Sequence, residues 1–217
     1  MVQSLNVSGI VNAFRLLWNP SLAVPHLIVN DIRNIHFEQL KRQGGIQAMG
    51  FDKDNCLTAP YVPHIHPPFE KAWAVCKETF GRDKIVIVSN SAGTPDDKDH
   101  ADKYLQSTKL QDALGVPVLR HEEKKPSGGA ALASHLHPIP ADKIAFVGDR
   151  ILTDVVFGNL NGNFTIWTRK IVTETGDNKA ALILRRFEHG LIRFLQSLNV
   201  KPPSHPMDQK TSQYIKE

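Results

Sequence analysis

The chain has only two cysteines, Cys56 and Cys76, in 217 residues. That is too few for a disulfide framework, and their spacing is not that of a CxxC pair, so a packed core in a reducing compartment is expected. No apolar run exceeds five residues, whereas a membrane-spanning helix needs about 20, so no transmembrane segment is expected. Internal repeats and low-complexity blocks are absent. Charge of one sign is scarce too: the formal net charge of +4 favours anionic partners such as phosphates or acidic membranes without calling for nucleic acid. Residues 1–30 contain no acid and one arginine, Arg15. They lack a secretory h-region with a small-residue cleavage site, so the sequons at Asn6 and Asn163 carry no expectation of glycosylation, and an import segment stays open.

What remains is ordinary globular material, 41% hydrophobic and 22% charged, enough for one domain with an appendage. Short apolar runs at 46–51, 84–88, 116–119, 143–147 and 164–168 read as buried strands. Helix-period segments separate them. Phe69, Ala72, Trp73, Cys76 and Phe80 share one helical face that Gly81 ends. Ala101, Tyr104 and Leu105 open a second helix closing at Gly115, and Ala180, Leu184, Phe187, Leu191, Phe194 and Leu198 stripe a longer third. Alternating strands and helices predict an α/β fold, a doubly wound, mostly parallel sheet over 46–198. Residues 1–45 are set apart as an N-terminal segment whose stripe of Ile10, Val11, Phe14, Leu17 and Trp18 suits either packing on the sheet or interfacial binding. Residues 199–217 are set apart as a polar tail, extended or disordered.

In such sheets ligands bind beyond the carboxyl ends of the strands, which directs attention to four segments. After the first run comes Asp52-Lys53-Asp54-Asn55-Cys56-Leu57-Thr58. Acids at i and i+2 leaving a strand point to one side, and like charges that close need a cation or a shared proton, which suits Mg²⁺ as well as a solvated polar turn. The second run ends at Ser89-Asn90-Ser91, able to hold phosphate oxygens or to serve as a turn. Lys124-Lys125-Pro126 offers a cation for phosphate and aspartates, although a lysine pair is also a common solvated surface. The fourth segment, Gly148-Asp149-Arg150-Ile151-Leu152-Thr153-Asp154, provides Asp149 as a hard oxygen ligand and Asp154 to orient the lysine or a metal water.

Taken together, DxD, Ser, Lys and Asp at four strand ends in that order resemble the haloacid dehalogenase superfamily of aspartate-dependent phosphatases over residues 46–170. The spellings DKDNCLT, SNS, KKP and GDRILTD are most similar to the phosphatidylglycerophosphate phosphatases of fungi and plants, and the segment Phe14-Arg15-Leu16-Leu17-Trp18-Asn19-Pro20 extends that resemblance toward the N-terminus. The resemblance implies Asp52 as nucleophile, Asp54 as general acid and then base, and Lys125 as the charge-balancing catalytic lysine. It implies Ser89, with Asn90, Lys124 and Arg150, as substrate ligands, and Asp52, Asp54, Asp149 and Asp154 around Mg²⁺. It implies hydrolysis of phosphatidylglycerophosphate to phosphatidylglycerol at the matrix face of the inner mitochondrial membrane, within cardiolipin biosynthesis. One departure stands out: Asn55-Cys56 occupy positions where many superfamily members carry Gly-Thr or Gly-Val.

The gaps between the four segments are too short for an inserted cap domain, so an open site is expected, fitted to a phosphate presented by a bilayer or a protein. A phosphoprotein or a soluble phosphomonoester is the competing substrate reading. His64-Ile65-His66 lacks a third metal ligand, and Cys56 lacks a basic partner, so both are expected to be structural. Arg150, Arg169, Lys170, Arg185 and Arg186 are candidates for a lipid-facing basic patch.

Overall fold

A computed structural model describes residues 15–97, 104–175, 179–207 and 211–216. Its centre is a five-stranded, all-parallel sheet in the order β1-β5-β4-β2-β3, made of β1 (Leu27–Val29), β2 (Ala48–Phe51), β3 (Ile85–Ile87), β4 (Ile144–Gly148) and β5 (Phe164–Thr168). Strands covered on both faces read as unbroken apolar runs, as these do. The period of two then sorts their side chains. Met49, Phe51, Ile85, Ile87, Val147 and Phe164 pack one cluster with α1 (Phe37–Arg42), α2 (Glu70–Phe80) and α3 (Leu105–Leu114). Ala48, Val86, Val88, Ile144 and Phe146 pack the opposite one with α4 (Gly129–His135) and α5 (Val156–Leu160). The fold is therefore α/β with helices on both faces. Helix α2 stops at Gly81, whose φ of +86° suits a residue without a side chain.

The segment at 116–119 is not a full strand. Val118 makes a single parallel bridge to Ile87, flanked by the Ile87 N–H donating to Pro117 O and the Leu119 N–H to Ile87 O. Pro117 lacks the donor a longer ladder would need. In its place β1 completes the sheet by pairing with β5, a three-residue strand too short for periodicity to reveal.

The expected limits at 45 and 199 do not coincide with packing. Asn159 Nδ2 donates to Leu22 O and Val24 O at 2.8 and 2.9 Å, and the His26 ring bonds Thr165 Oγ1 at 2.8 Å, so the backbone of 22–26 is tied into the fold. The C-terminal stretch is not a loose tail. His205, Met207 and Tyr214 are buried, and the His36 N–H donates to Tyr214 O. Of the N-terminal stripe, Ile10, Val11 and Phe14 lie outside the described residues, while Leu17 and Trp18 are exposed.

The last helix, α6 (Lys179–Ser197), is oriented against its stripe. Ile183, Phe187, Phe194 and Leu198 point to solvent, Phe187 and Phe194 at 59% exposure each, while Arg185, Glu188, Ile192 and Leu195 are buried. At about 100° per residue the exposed row lies roughly half a turn from Arg185 and Ile192. The buried side packs Ile192 and Leu195 on Trp167, Ile151 and Val155.

Gly50 in β2 faces the Phe146 ring: a Cβ there would lie 2.6 Å from Cδ2, and that ring is wedged against Phe157. Gly50→Ala should cost about 1–3 kcal/mol by overpacking. For a chain this size that lowers Tm by roughly 3–10 °C, read by thermal unfolding. In a Phe146→Leu background the added penalty should shrink; an equal drop in both backgrounds would place the strain elsewhere.

Candidate active site

All the chemistry-bearing strand ends meet at the carboxyl edge of β2 and β4. Asp52 follows β2, its N–H donating to Val147 O of β4 at 2.8 Å. Asp149 follows β4, and a π-helical turn at Ile151–Val155 brings Asp154 back beneath Gly148. A Cβ on Gly148 would fall 2.3 Å from the Asp154 side chain, so only glycine permits this approach. Asp52, Asp149 and Asp154 thus present carboxylate oxygens within 4.8 Å of one another.

Lys125 answers part of that charge. It is 1% exposed, and its Nζ donates to Asp52 Oδ1 at 2.6 Å and to Asp154 Oδ1 at 2.7 Å. Its backbone is clasped by Asn90, whose Oδ1 accepts from Lys125 N at 2.8 Å and whose Nδ2 donates to Lys125 O. Desolvation opposes the ammonium, yet Asp154 and Asp52 outweigh it and hold Lys125 above its ordinary pKa. Burial pushes the Asp52 carboxyl upward, with Lys125 opposing and Asp154 reinforcing the shift. Lys125 thus stands as the shared cation of Asp52 and Asp154, bonded to both.

A second cation arrives from α6: Arg185 makes an ion pair with Asp149. Three carboxylates facing two cations retain one net negative charge, and their all-oxygen donor set fits a hard divalent cation. Around them, Glu188 accepts from Arg150 Nε and Leu152 N, both at 3.0 Å, and Arg150 N donates to Asp154 Oδ2.

Asp54 does not join the acid cluster, contrary to its expected place among the metal ligands. The strand ends at Phe51, so the i, i+2 rule no longer governs its direction. A turn follows in which Lys53 O accepts from the N–H groups of Leu57 and Thr58. The Asp54 carboxylate instead accepts from Ser91 Oγ and Tyr61 N, each at 2.8 Å, and from Lys53 Nζ. Asn55 adopts φ +63°, a left-handed conformation that Asn tolerates better than most residues, so the departure at this position keeps the turn. Ser89 is buried, bonded to Ser91 Oγ at 3.0 Å. Lys124 is half-buried beside Lys125.

Cys56 is buried and its thiol pushed well above its ordinary pKa, by burial first and by Asp52 and Asp154 next, which excludes a thiolate nucleophile. His66 packs edge-on against Phe69. Ser91, Arg185 and Glu188 had no assigned role in the catalytic motifs. Ser91 is signalled by its i+2 spacing from Ser89, and the other two by an i, i+3 pair of opposite charge on one face of the last helix.

Comparison with known proteins agrees with this arrangement. The family described as mitochondrial PGP phosphatase, PGP being phosphatidylglycerophosphate, matches residues 7–173. The chain is 37% identical to phosphatidylglycerophosphate phosphatase 1, chloroplastic, of Chlamydomonas reinhardtii over 94% of its own length and 74% of that protein's. It is 35% identical to the chloroplastic/mitochondrial phosphatidylglycerophosphate phosphatase 1 of Arabidopsis thaliana, over 99% of this chain and 60% of the other. It is 34% identical to the mitochondrial phosphatidylglycerophosphatase of Saccharomyces cerevisiae, over 88% and 99%. With the acids, the lysine and the strand ends in one place and the family spanning all of them, this chain belongs to the mitochondrial PGP phosphatase family.

Proposed function

We propose that the chain hydrolyses the phosphomonoester of phosphatidylglycerophosphate through an aspartyl-phosphate on Asp52. Family membership makes it a phosphoric monoester hydrolase of a phospholipid headgroup; the residue roles are inferred from the geometry. The observation that carries them is the buried pair of Asp52 and Lys125 inside a cluster with Asp149 and Asp154. Asp52 Oδ attacks phosphorus, and the bond from phosphorus to the glycerol oxygen breaks. Asp54, oriented by Ser91 and Tyr61, protonates the departing alkoxide, then takes a proton from the water that releases inorganic phosphate and restores the Asp52 carboxylate. Lys125 neutralises charge on the transferring group and keeps Asp52 ionised between cycles. Asn90 acts by fixing the backbone of Lys125, and Ser89 by anchoring Ser91. Asp52, Asp149 and Asp154 would hold a divalent ion, Mg²⁺ by donor chemistry, which when bound supplies charge neutralisation at the phosphoryl oxygens.

The proposal extends to location. Among the described residues no helix is long and apolar enough to cross a membrane. The outward row of α6, flanked by Arg186, would instead rest on an anionic bilayer, with Leu17 and Trp18 as further apolar contacts. Its opposite side carries Arg185 to Asp149, so a bilayer on this face lies next to the catalytic cluster. The relatives named for a phospholipid substrate support lipid as the occupant, and those named mitochondrial support a mitochondrial location, for which the proposed surface is the matrix face of the inner membrane.

Asp52→Asn should lower phosphate release at least 10³-fold with unchanged circular dichroism, and Asp54→Asn should accumulate acid-stable label on Asp52 from ³²P-labelled p-nitrophenyl phosphate, whose leaving group departs without a proton. Retention of turnover in folded Asp52→Asn would remove it as nucleophile. Chelation should abolish activity and Mg²⁺ restore it; Mg²⁺ should also raise Tm, and Asp149→Asn should erase that rise. Phe187→Glu with Phe194→Glu should abolish flotation on vesicles containing anionic lipid while p-nitrophenyl phosphate is still hydrolysed. Undiminished flotation, or dissociation of an oligomer by the same changes, would assign that row differently.

A further inference from the structure

Beside the catalytic cluster, at the carboxyl ends of β1 and β5, lies an open cleft of about 470 Å³ between the sheet and α6. Asn30, Trp167, Arg169, His189, Arg193 and Gln196 contribute to its lining, and none of the described residues around it is acidic. The phosphatase mechanism uses none of these side chains. Arg169 spends one N–H on Asn30 Oδ1 at 2.8 Å and Arg193 one on His189 O at 3.1 Å. Their other guanidinium N–H groups have no protein partner among the described residues. The field there is positive: burial first, then Arg193, Arg185 and Arg169, hold the His189 imidazole below its ordinary pKa.

Two features connect this cleft to the reaction centre. The Trp167 indole N–H donates to Asp149 O at 2.9 Å, and the same ring lies 4.8 Å from the His189 ring. On α6, Arg185, His189 and Arg193 follow at i, i+4 and i+8, so His189 and Arg193 stand about 6 and 12 Å along the axis from the residue that pairs with Asp149. A substrate with one phosphate at Asp52 and a second anion joined by the six bonds P–O–C–C–C–O–P reaches about 7 Å from one phosphorus to the other when extended. The tether is thus of the same length scale as the offsets of His189 and Arg193 along α6.

We propose that this cleft is a subsite for the phosphodiester of the phospholipid substrate, with Arg193 and Arg169 as its guanidinium donors. This rests on phosphatidylglycerophosphate being the substrate. The subsite distinguishes a lipid-linked phosphomonoester from a soluble one by the diester that only the former carries, and guanidinium forks suit such an oxyanion.

Steady-state kinetics of the full chain test it with two monomeric substrates: dihexanoyl phosphatidylglycerophosphate, which carries the diester, and p-nitrophenyl phosphate, which does not. Arg193→Gln and Arg169→Gln should each raise KM for the lipid substrate by about 10-fold and leave kcat/KM for p-nitrophenyl phosphate within about twofold. Inhibition by dihexanoyl phosphatidylglycerol should weaken in parallel, while inhibition by inorganic phosphate, which binds at the catalytic cluster, should not change. Arg193→Lys should recover part of the loss. Equal losses on both substrates, or none on either, overturn the subsite. So does weakened inhibition by inorganic phosphate, which would make the cleft a free-phosphate site. Wild-type enzyme without preference for the lipid ester removes the substrate assignment and the subsite together. Wild-type preference that survives in both variants removes the subsite alone.

Discussion

Three carboxylates, Asp52, Asp149 and Asp154, are held within 4.8 Å of one another at a depth where water cannot screen them, and the surrounding structure is arranged to compensate that charge. Removing one member of a buried ion pair costs about 3–5 kcal/mol because the other is left uncompensated. Lys125 bridges two of the acids from one side, and Arg185 reaches the third from α6. Each cation is itself fixed. Asn90 clasps the backbone of Lys125, and Glu188, one turn from Arg185 on α6, gathers Arg150 and Leu152. The loops after β3 and β4 and the inner face of α6 are therefore positioned by electrostatics as much as by apolar packing.

That constraint explains which parts of the site could be read from sequence. Asp52, Lys125, Asp149 and Asp154 were legible because three of the four follow short apolar runs and the sheet topology sends such ends to one edge. Asp54 was misdirected because period two holds only while the strand lasts, and β2 stops at Phe51. Asn90 looked like a phosphate ligand because its partner, the backbone of Lys125, lies 35 residues away and leaves no local trace. The same limit hid β1, a three-residue strand between Pro25 and Asn30, and the docking of Tyr214 against the segment that includes His36. Their contacts are with distant residues, not with a local pattern.

Helix α6 is the instructive failure of periodicity. An amphipathic stripe reads equally as a face for a core or as a face for something outside, and the choice depends on what lies opposite. Here the inner face is charged because it borders buried carboxylates, so Arg185 and Glu188 go in while Phe187 and Phe194 go out. The inner side of α6 divides between the Arg185–Asp149 pair and the packing of Ile192 and Leu195, which leaves the row of Phe187 and Phe194 uncovered.

An open site without an inserted cap must find its selectivity on surfaces that are already there. Rigid α6 places three such surfaces in fixed register: the pair with Asp149, the basic flank of the β1–β5 cleft, and the outward apolar row. Each residue advances about 1.5 Å and turns about 100°. The distance from reacting phosphate to diester, and the angle from diester to bilayer in the proposed reading, are then set by the spacing of Arg185, Arg193 and Phe194 rather than by a moving lid. Shifting that spacing by one residue would turn Phe194 about 100° away from the row it extends while Arg185 stayed on Asp149. In the proposed reading, selectivity for a membrane-borne diester and catalysis at Asp52 are coupled by helix geometry, because Arg185, Arg193 and Phe194 share one helix.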